Sequence, residues 1–247
     1  MSGQVSLKGR RAIVTGGGRD FGRALSIWLA REGMEVDLCA RNLADANTTA
    51  AAIRAEGNVA RSHRCDLTYP DDIARFARHF TEADMTVDVL ILSAAQWLEG
   101  DLADGTPIGK MVSTISSGLT GSILLADALL PTLRRAAEAT MVTMVSSCGR
   151  PGYVASNAHP AFYAAKSGMA GFSCILGHRL AAESIRVCGV YPPDFETRDP
   201  INPPKEPPSD LLQAETIWRA IREMLVTPGP AVDALYFSGP TRESLRL

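Results

Sequence analysis

The sequence predicts one α/β domain over residues 1–247, a doubly wound parallel sheet of about seven strands with helices on both faces. Three observations lead there. Short apolar runs alternate with amphipathic stretches along the whole chain. A glycine turn, Thr15-Gly16-Gly17-Gly18, joins the first apolar run to the first amphipathic stretch. Residues 87–92 read as a strand buried on both faces, the mark of a parallel sheet covered by helices. A chain of 247 residues is long enough to bury a full core in one unit.

Ala12-Ile13-Val14 is the first strand, and the glycines after it turn the chain tightly because glycine enters positive φ freely. Phe21, Ala24, Leu25, Trp28 and Leu29 then recur at the spacing of one helix face. Strand, glycine turn and helix N-terminus together form an anion site of free N–H groups. Residues 36–39 are the second strand, 43–56 an alanine-rich helix, 59–65 the third strand and 70–83 a helix opened by Pro70. A long helical region follows over about 108–137 with a kink expected at Pro131. Residues 141–146 form a fifth strand, 161–183 a helix opened by Pro160, 186–191 a sixth strand, 210–225 a helix and 235–237 a last strand. Between the sixth strand and that helix, residues 191–210 hold seven of the fifteen prolines. This segment is either a stiff substrate wall or a surface connection that cannot be helical. No internal repeat or linker divides the chain.

Composition narrows the function. The chain is 46% hydrophobic and 21% charged, with a net charge of −2. That balance argues against nucleic acid or an acidic membrane surface as partner. No apolar run is read as reaching the roughly 20 residues of a membrane span. The opening MSGQVSLKGR has no hydrophobic segment before the first strand. The five cysteines are scattered and never spaced CxxC, which fits reduced thiols and a cytoplasmic location. The four histidines show no metal-ligand spacing, and no metal is expected.

The order of these signals resembles the short-chain dehydrogenase/reductase family over nearly the whole chain, and implies its Rossmann-type fold. Thr15 to Gly22, TGGGRDFG, is similar to the family's TGxxxGxG loop, with Asp20 in place of the middle glycine. Asp66-Leu67 matches the pair whose carboxylate binds adenine, and Ser93-Ala94-Ala95 stands where the family has NAG. Ser147, at the end of the fifth strand, matches the catalytic serine. Ala164-Ala165-Lys166-Ser167-Gly168 is close to the catalytic helix, and Tyr191-Pro192 to Thr197 match the sixth strand and the loop beyond. The resemblance implies a dinucleotide held by Gly16, Gly18, Arg19, Phe21, Gly22, Arg41, Asp66, Leu67, Ser93, Ala94, Lys166, Pro192 and Thr197. In this family an acid ending the second strand selects NAD(H). Here that position is Ala40, followed by Arg41, and Arg19 is a second cation. Two guanidinium groups without the carboxylate suit a 2′-phosphate, so NADP(H) is favoured over NAD(H). Asp20 opposes binding if its carboxylate faces the pyrophosphate, and is harmless if it turns outward. As a good N-cap type, it is also placed to accept the helix's free N–H groups itself.

The family's chemistry uses a tyrosine proton donor in YxxxK, the lysine beside it, a serine and an asparagine relay. Lys166 is in place, but Phe162 stands four residues before it and has no proton to give. Tyr163 is adjacent; a one-residue bulge near Pro160 would bring it into the pocket. The asparagine position falls on Gly118. The expected catalytic set is therefore Ser147, Tyr163 and Lys166, with Tyr153, His159 and Asp194 as further candidates. Residues 95–98, 148–159 and the proline-rich loop are expected to line the pocket, and Trp97, Tyr153 and Phe195 imply a small apolar or aromatic substrate. Three functions stay open: an NADP(H)-dependent oxidoreductase acting on a small carbonyl or alcohol; a lyase, dehydratase or cyclase of this fold; and a non-catalytic binding protein. The resemblance implies a homodimer or homotetramer built on the two long central helices.

Overall fold

The computed structural model describes residues 4–228 and 232–239. Seven parallel strands form one sheet in the order β3-β2-β1-β4-β5-β6-β9. They are β1 (Arg11–Thr15), β2 (Glu35–Ala40), β3 (Ala60–Arg64), β4 (Val89–Leu92), β5 (Ala139–Met144), β6 (Ile185–Tyr191) and β9 (Ala234–Tyr236). The helices are α1 (Asp20–Arg31), α2 (Leu43–Ala55), α3 (Pro70–Thr81), α4 (Ile108–Ile115), α5 (Gly121–Leu133), α6 (Pro160–Leu180) and α7 (Ala214–Val226). The chain runs outward from β1 to β2 and β3, then returns to the other side of β1 at β4. That reversal opens a crevice at the carboxyl ends of β1 and β4, the usual ligand position in such a sheet.

Alternation along the strands builds two cores. Ala12, Val14, Val89 and Ile91 face one side with α1 and α7, where Trp28 stacks on Trp218 at 5.9 Å. Ile13, Leu90, Leu92 and Met141 face the other, with α3 and α5. Within β2, the buried Asp37 accepts hydrogen bonds from Arg11 Nη1 at 2.5 Å and His63 Nε2 at 2.8 Å. Burial alone would push this carboxyl up; the His63 and Arg11 partners outweigh it and hold it below the ordinary value.

Three expectations are corrected. The central helical region ends at Leu133, short of residue 137, and is interrupted by a π-turn at Ser116–Thr120; Pro131 lies within α5. A glycine follows this break: at Gly121 a Cβ would lie 2.1 Å from the Leu67 carbonyl oxygen, so only glycine lets the helix approach that loop. The last helix starts later, at Ala214, because Leu212–Gln213 (β8) pairs in parallel with Phe195–Glu196 (β7). Finally, the run Ile108–Leu133 is 26 residues long and contains an 18-residue stretch of mean hydropathy 1.3, apolar enough by length and composition to cross a membrane. In this fold it packs against α3 and α6.

The proline-rich segment is tied down. Arg198 donates to the carbonyls of Pro204 and Glu206 at 2.6 Å each. Glu196 accepts from the Ser209 hydroxyl and amide at 2.7 Å, and these bonds hold its carboxyl at about 2. Asp199 pairs with Arg23 of α1 at 2.8 Å.

Candidate active site

The glycine turn shapes the crevice. Gly16 has φ +70°, and a Cβ at Gly22 would stand 2.3 Å from the Gly16 carbonyl oxygen. Only glycine at both positions permits so close a turn. Thr15 Oγ1 accepts the amides of Ser93 and Ala94 at 3.0 Å each, which locks the ends of β1 and β4 together. The resulting cavity of about 460 Å³ is lined by Gly16, Gly18, Arg19, Phe21, Gly22 and Arg41 on one side. Asp66, Leu67, Ser93 and Ala94 line the other. Asp66 Oδ1 accepts from the Thr68 amide and hydroxyl. Of the residues expected to hold a dinucleotide, Lys166 and Pro192 lie instead in the adjoining cavity, and Thr197 lines neither.

Asp20 does not cap α1. The N-cap is Arg19, whose side chain makes no capping bond, so the first-turn N–H groups have no side-chain acceptor. Asp20 sits at φ +48°, in the left-handed region where the resembling motif has glycine. Its side chain is 81% exposed, and its carboxylate lies 3.5 Å from Arg19 Nε. Solvent and this neighbour both weaken its repulsion of an anion.

A second cavity, of about 560 Å³, adjoins the first through Phe21 and Ser93. Its apolar wall includes Trp97, Met144, Phe162 and Phe195, and its polar groups include Ser146, Lys166 and Asp194. Phe162 packs edge-on against Trp97 at 4.8 Å. Lys166 is buried and donates from Nζ to the Met144 carbonyl at 2.7 Å, with the Phe162 ring 5.4 Å away. Burial brings its pKa down to about 8, with Cys148 acting in the opposite sense. Tyr153 does not line this cavity. His159 is consumed as the cap of α6, its Nδ1 accepting from the Ala161 amide at 3.0 Å.

Two placements differ from the sequence reading. The serine at the cavity is Ser146, not Ser147. Ser146, at φ +81°, lines the cavity, and its Oγ accepts from the Cys148 amide at 3.3 Å, whereas Ser147 is buried with its amide on the Pro192 carbonyl at 2.8 Å. Two adjacent serines gave no basis for choosing, although Met144, two residues earlier, shares the cavity wall. The bulge that would bring Tyr163 inward is also absent. His159 and Pro160 start a regular turn, so Phe162 faces the cavity with Lys166 one turn on. Tyr163 points behind it, half-buried, with its hydroxyl donating to the Ser156 carbonyl at 3.3 Å. At the Gly118 position a Cβ would meet Ala165 and Ala95 at 3.6 and 3.8 Å, ordinary contact distances.

Asp37, His63 and His79 bring three ligand-type atoms within 4.8 Å, a grouping the sequence spacing did not show. The Asp37 carboxylate is already held by His63 and Arg11, and a second guanidinium, Arg61, lies 3.6 Å away.

The family description "short chain dehydrogenase" matches residues 10–202. A rhamnolipids biosynthesis 3-oxoacyl-[acyl-carrier-protein] reductase of Pseudomonas aeruginosa is 28% identical over 196 residues, covering 78% of this chain and 75% of that protein. Among solved structures, a metagenomic short-chain oxidoreductase in complex with NADP superposes with TM-score 0.79 at 24% identity, covering 94% of this chain and 98% of that one. The Pseudomonas aeruginosa RhlG/NADP active-site complex gives TM-score 0.70 at 26% identity, covering 77% and 75%. With its glycine turn at the switch point of the sheet and a lysine-bearing cavity beside it, the chain belongs to the short-chain dehydrogenase family.

Proposed function

We propose that the protein is an oxidoreductase moving a hydride between NADP(H) and a small apolar or aromatic carbonyl or alcohol. The observation that carries this reading is the continuity of the two cavities: a glycine-lined crevice opens through Phe21 and Ser93 into a cavity holding Lys166 and Ser146. The crevice suits a dinucleotide. The uncapped N–H groups of α1 meet a pyrophosphate, and Gly22 leaves room that a Cβ would fill. Arg41 follows the end of β2, where Ala40 supplies no carboxylate, and Arg19 lines the same crevice from the glycine turn, which favours a 2′-phosphate. RhlG, at 26% identity, is described with NADP.

When bound, the nicotinamide supplies or accepts the hydride. This chain's residues do the rest. Trp97, Phe162 and Phe195 exclude water and hold an apolar body. Lys166, as an ammonium, steadies negative charge growing on the substrate oxygen, and Ser146 Oγ hydrogen-bonds that oxygen. Exposed Ile108, Val112 and Ile115 on α4 and Leu124 on α5 support assembly with a second copy of the chain. Phe162 favours a second reading, a protein that has left carbonyl redox chemistry, because it removes the usual donor.

Titration with NADPH, followed by its fluorescence, and a screen of aryl and alkyl ketones, followed by loss of reduced nicotinamide, separate the readings. Binding with turnover supports the redox function; binding without turnover supports the second. Absence of binding removes the cofactor. Arg41→Ala is expected to weaken NADP+ about 10-fold while leaving NAD+ nearly unchanged, the loss of one exposed charge-assisted phosphate contact. Equal weakening of both would remove the 2′-phosphate assignment.

A further inference from the structure

Of the four lysines in the chain, the fold buries one. Lys8, Lys110 and Lys205 are exposed, whereas Lys166 is 6% exposed and lines the aromatic-walled cavity of about 560 Å³. An ammonium carries three N–H groups that need acceptors. Among the described residues, Lys166 Nζ has one hydrogen-bond acceptor, the Met144 carbonyl at 2.7 Å, and no carboxylate pairs with it. Phe162, one helical turn before, offers it a ring at 5.4 Å and no hydroxyl. Cys148 is the titratable group that acts on it, and Glu99 and Asp194 share the cavity wall. A buried cation with so few partners is poorly solvated. As a neutral amine the same group keeps its bond to Met144 and has a lone pair free for the cavity. Burial accordingly brings its pKa down to about 8. About a quarter of the molecules then hold the free amine at pH 7.5, against about 0.1% for an ordinary lysine.

We propose that Lys166 is a nucleophile that captures small aromatic aldehydes in this cavity as an imine, an activity that needs no coenzyme and goes beyond the redox reading. The Nζ lone pair attacks the carbonyl carbon as the C=O electron pair moves to oxygen. One nitrogen proton passes to that oxygen, which gives a carbinolamine. The C–O bond then breaks, the hydroxyl leaves with the second nitrogen proton as one water, and a C=N bond forms. The step is a condensation, with nothing oxidised or reduced. Protonated from solvent, the imine nitrogen can again donate to the Met144 carbonyl. Trp97, Phe162 and Phe195 supply the wall for the aryl ring, and their apolar surface slows hydrolysis by keeping water from the C=N bond. A desolvated lysine amine in an apolar pocket is the ordinary form of such a nucleophile.

The test incubates the full chain with benzaldehyde and sodium cyanoborohydride at pH 7.5, without coenzyme. The reagent reduces an imine to a stable benzylamine, and peptide fragmentation by mass spectrometry reads the benzyl group at each lysine. Lys166 is expected to take the label at least 10-fold faster than Lys8, Lys110 or Lys205. That is what remains of an advantage of about 200-fold in free amine after the weaker nucleophilicity of a less basic nitrogen. The advantage should vanish in concentrated urea, where burial is lost. Labelling of Lys166 no faster than the three exposed lysines, or equally favoured in urea, overturns the proposal. The wild-type chain gives this result without a variant, so folding of a mutant does not enter. The two activities fail separately. A chain that reduces ketones with NADPH but lacks the fast label loses the imine alone, and a chain that labels fast but binds no NADPH loses the redox reading alone.

Discussion

At the scale of the residue, the proposed chemistry turns on Phe162 and Lys166. They sit one helical turn apart on the same face and share a cavity wall. Phe162→Tyr adds a hydroxyl at that wall, and ketone reduction should rise about 100-fold, the contribution of a positioned general acid. A progress curve with NADPH checks it; no gain would mean that position 162 does not meet the reacting oxygen. Lys166 also carries a stability cost. Its pKa falls from 10.5 to about 8 on burial, which corresponds to about 3 kcal/mol against folding at neutral pH. The sign follows from proton binding: between about 8 and 10.5 the unfolded chain holds the extra proton, so wild-type stability rises with pH through that window. Lys166→Met removes the cost but strands the Met144 carbonyl, worth about 1 kcal/mol. The variant should therefore be more stable by about 2 kcal/mol below pH 8, an advantage that shrinks toward pH 10, as urea unfolding without cofactor will read. Equal stability at both pH values would contradict a buried ammonium. Which residues matter here was partly legible: the spacing of Phe162 and Lys166 is local. The choice of Ser146 over Ser147 was not, because it turns on a single backbone dihedral at the end of β5.

At the scale of the element, the glycine turn is the least replaceable part. Gly22→Ala places a methyl 2.3 Å from the Gly16 carbonyl oxygen, so β1 or α1 must shift. We expect NADPH affinity to fall at least 100-fold and stability by about 2–3 kcal/mol, the cost of overpacking a tight site. Calorimetry and thermal melting measure the two separately; retention of full affinity would show that the turn is not the phosphate site. The elements themselves were readable because their signals are short-range: alternation for strands, a four-residue apolar repeat for α1, proline at the starts of α3 and α6. The π-turn at Ser116–Thr120 was not. Its residues lie against ones far away in sequence, such as Ala165 and Ala95 beside Gly118, and no local pattern records them. The same holds for Asp37, whose partners Arg11 and His63 come from neighbouring strands.

At the scale of the whole molecule, the proline-rich segment answers the question its composition left open. It forms one wall of the cavity that holds Lys166 through Pro192, Pro193 and Phe195, and returns to the body through β7 and β8. Three contacts bind it to α1: the pair Arg23–Asp199, the Arg31 guanidinium donating to the Pro200 carbonyl at 3.2 Å, and the edge-to-face packing of Phe21 on Phe195 at 5.1 Å. Asp199→Ala should raise KM for the ketone several-fold while leaving NADPH affinity within about 2-fold, as loosening of a wall rather than loss of a ligand contact. Steady-state kinetics with each substrate varied will distinguish the two; a matched loss in both would place Asp199 in the cofactor site.

The attachment of that wall to α1 has a kinetic consequence. On the proposed reading, the helix whose first turn would meet the coenzyme also anchors the segment that walls the neighbouring cavity. Occupancy of the one compartment thus steadies the other, and reactants should add in compulsory order, coenzyme leading and leaving last.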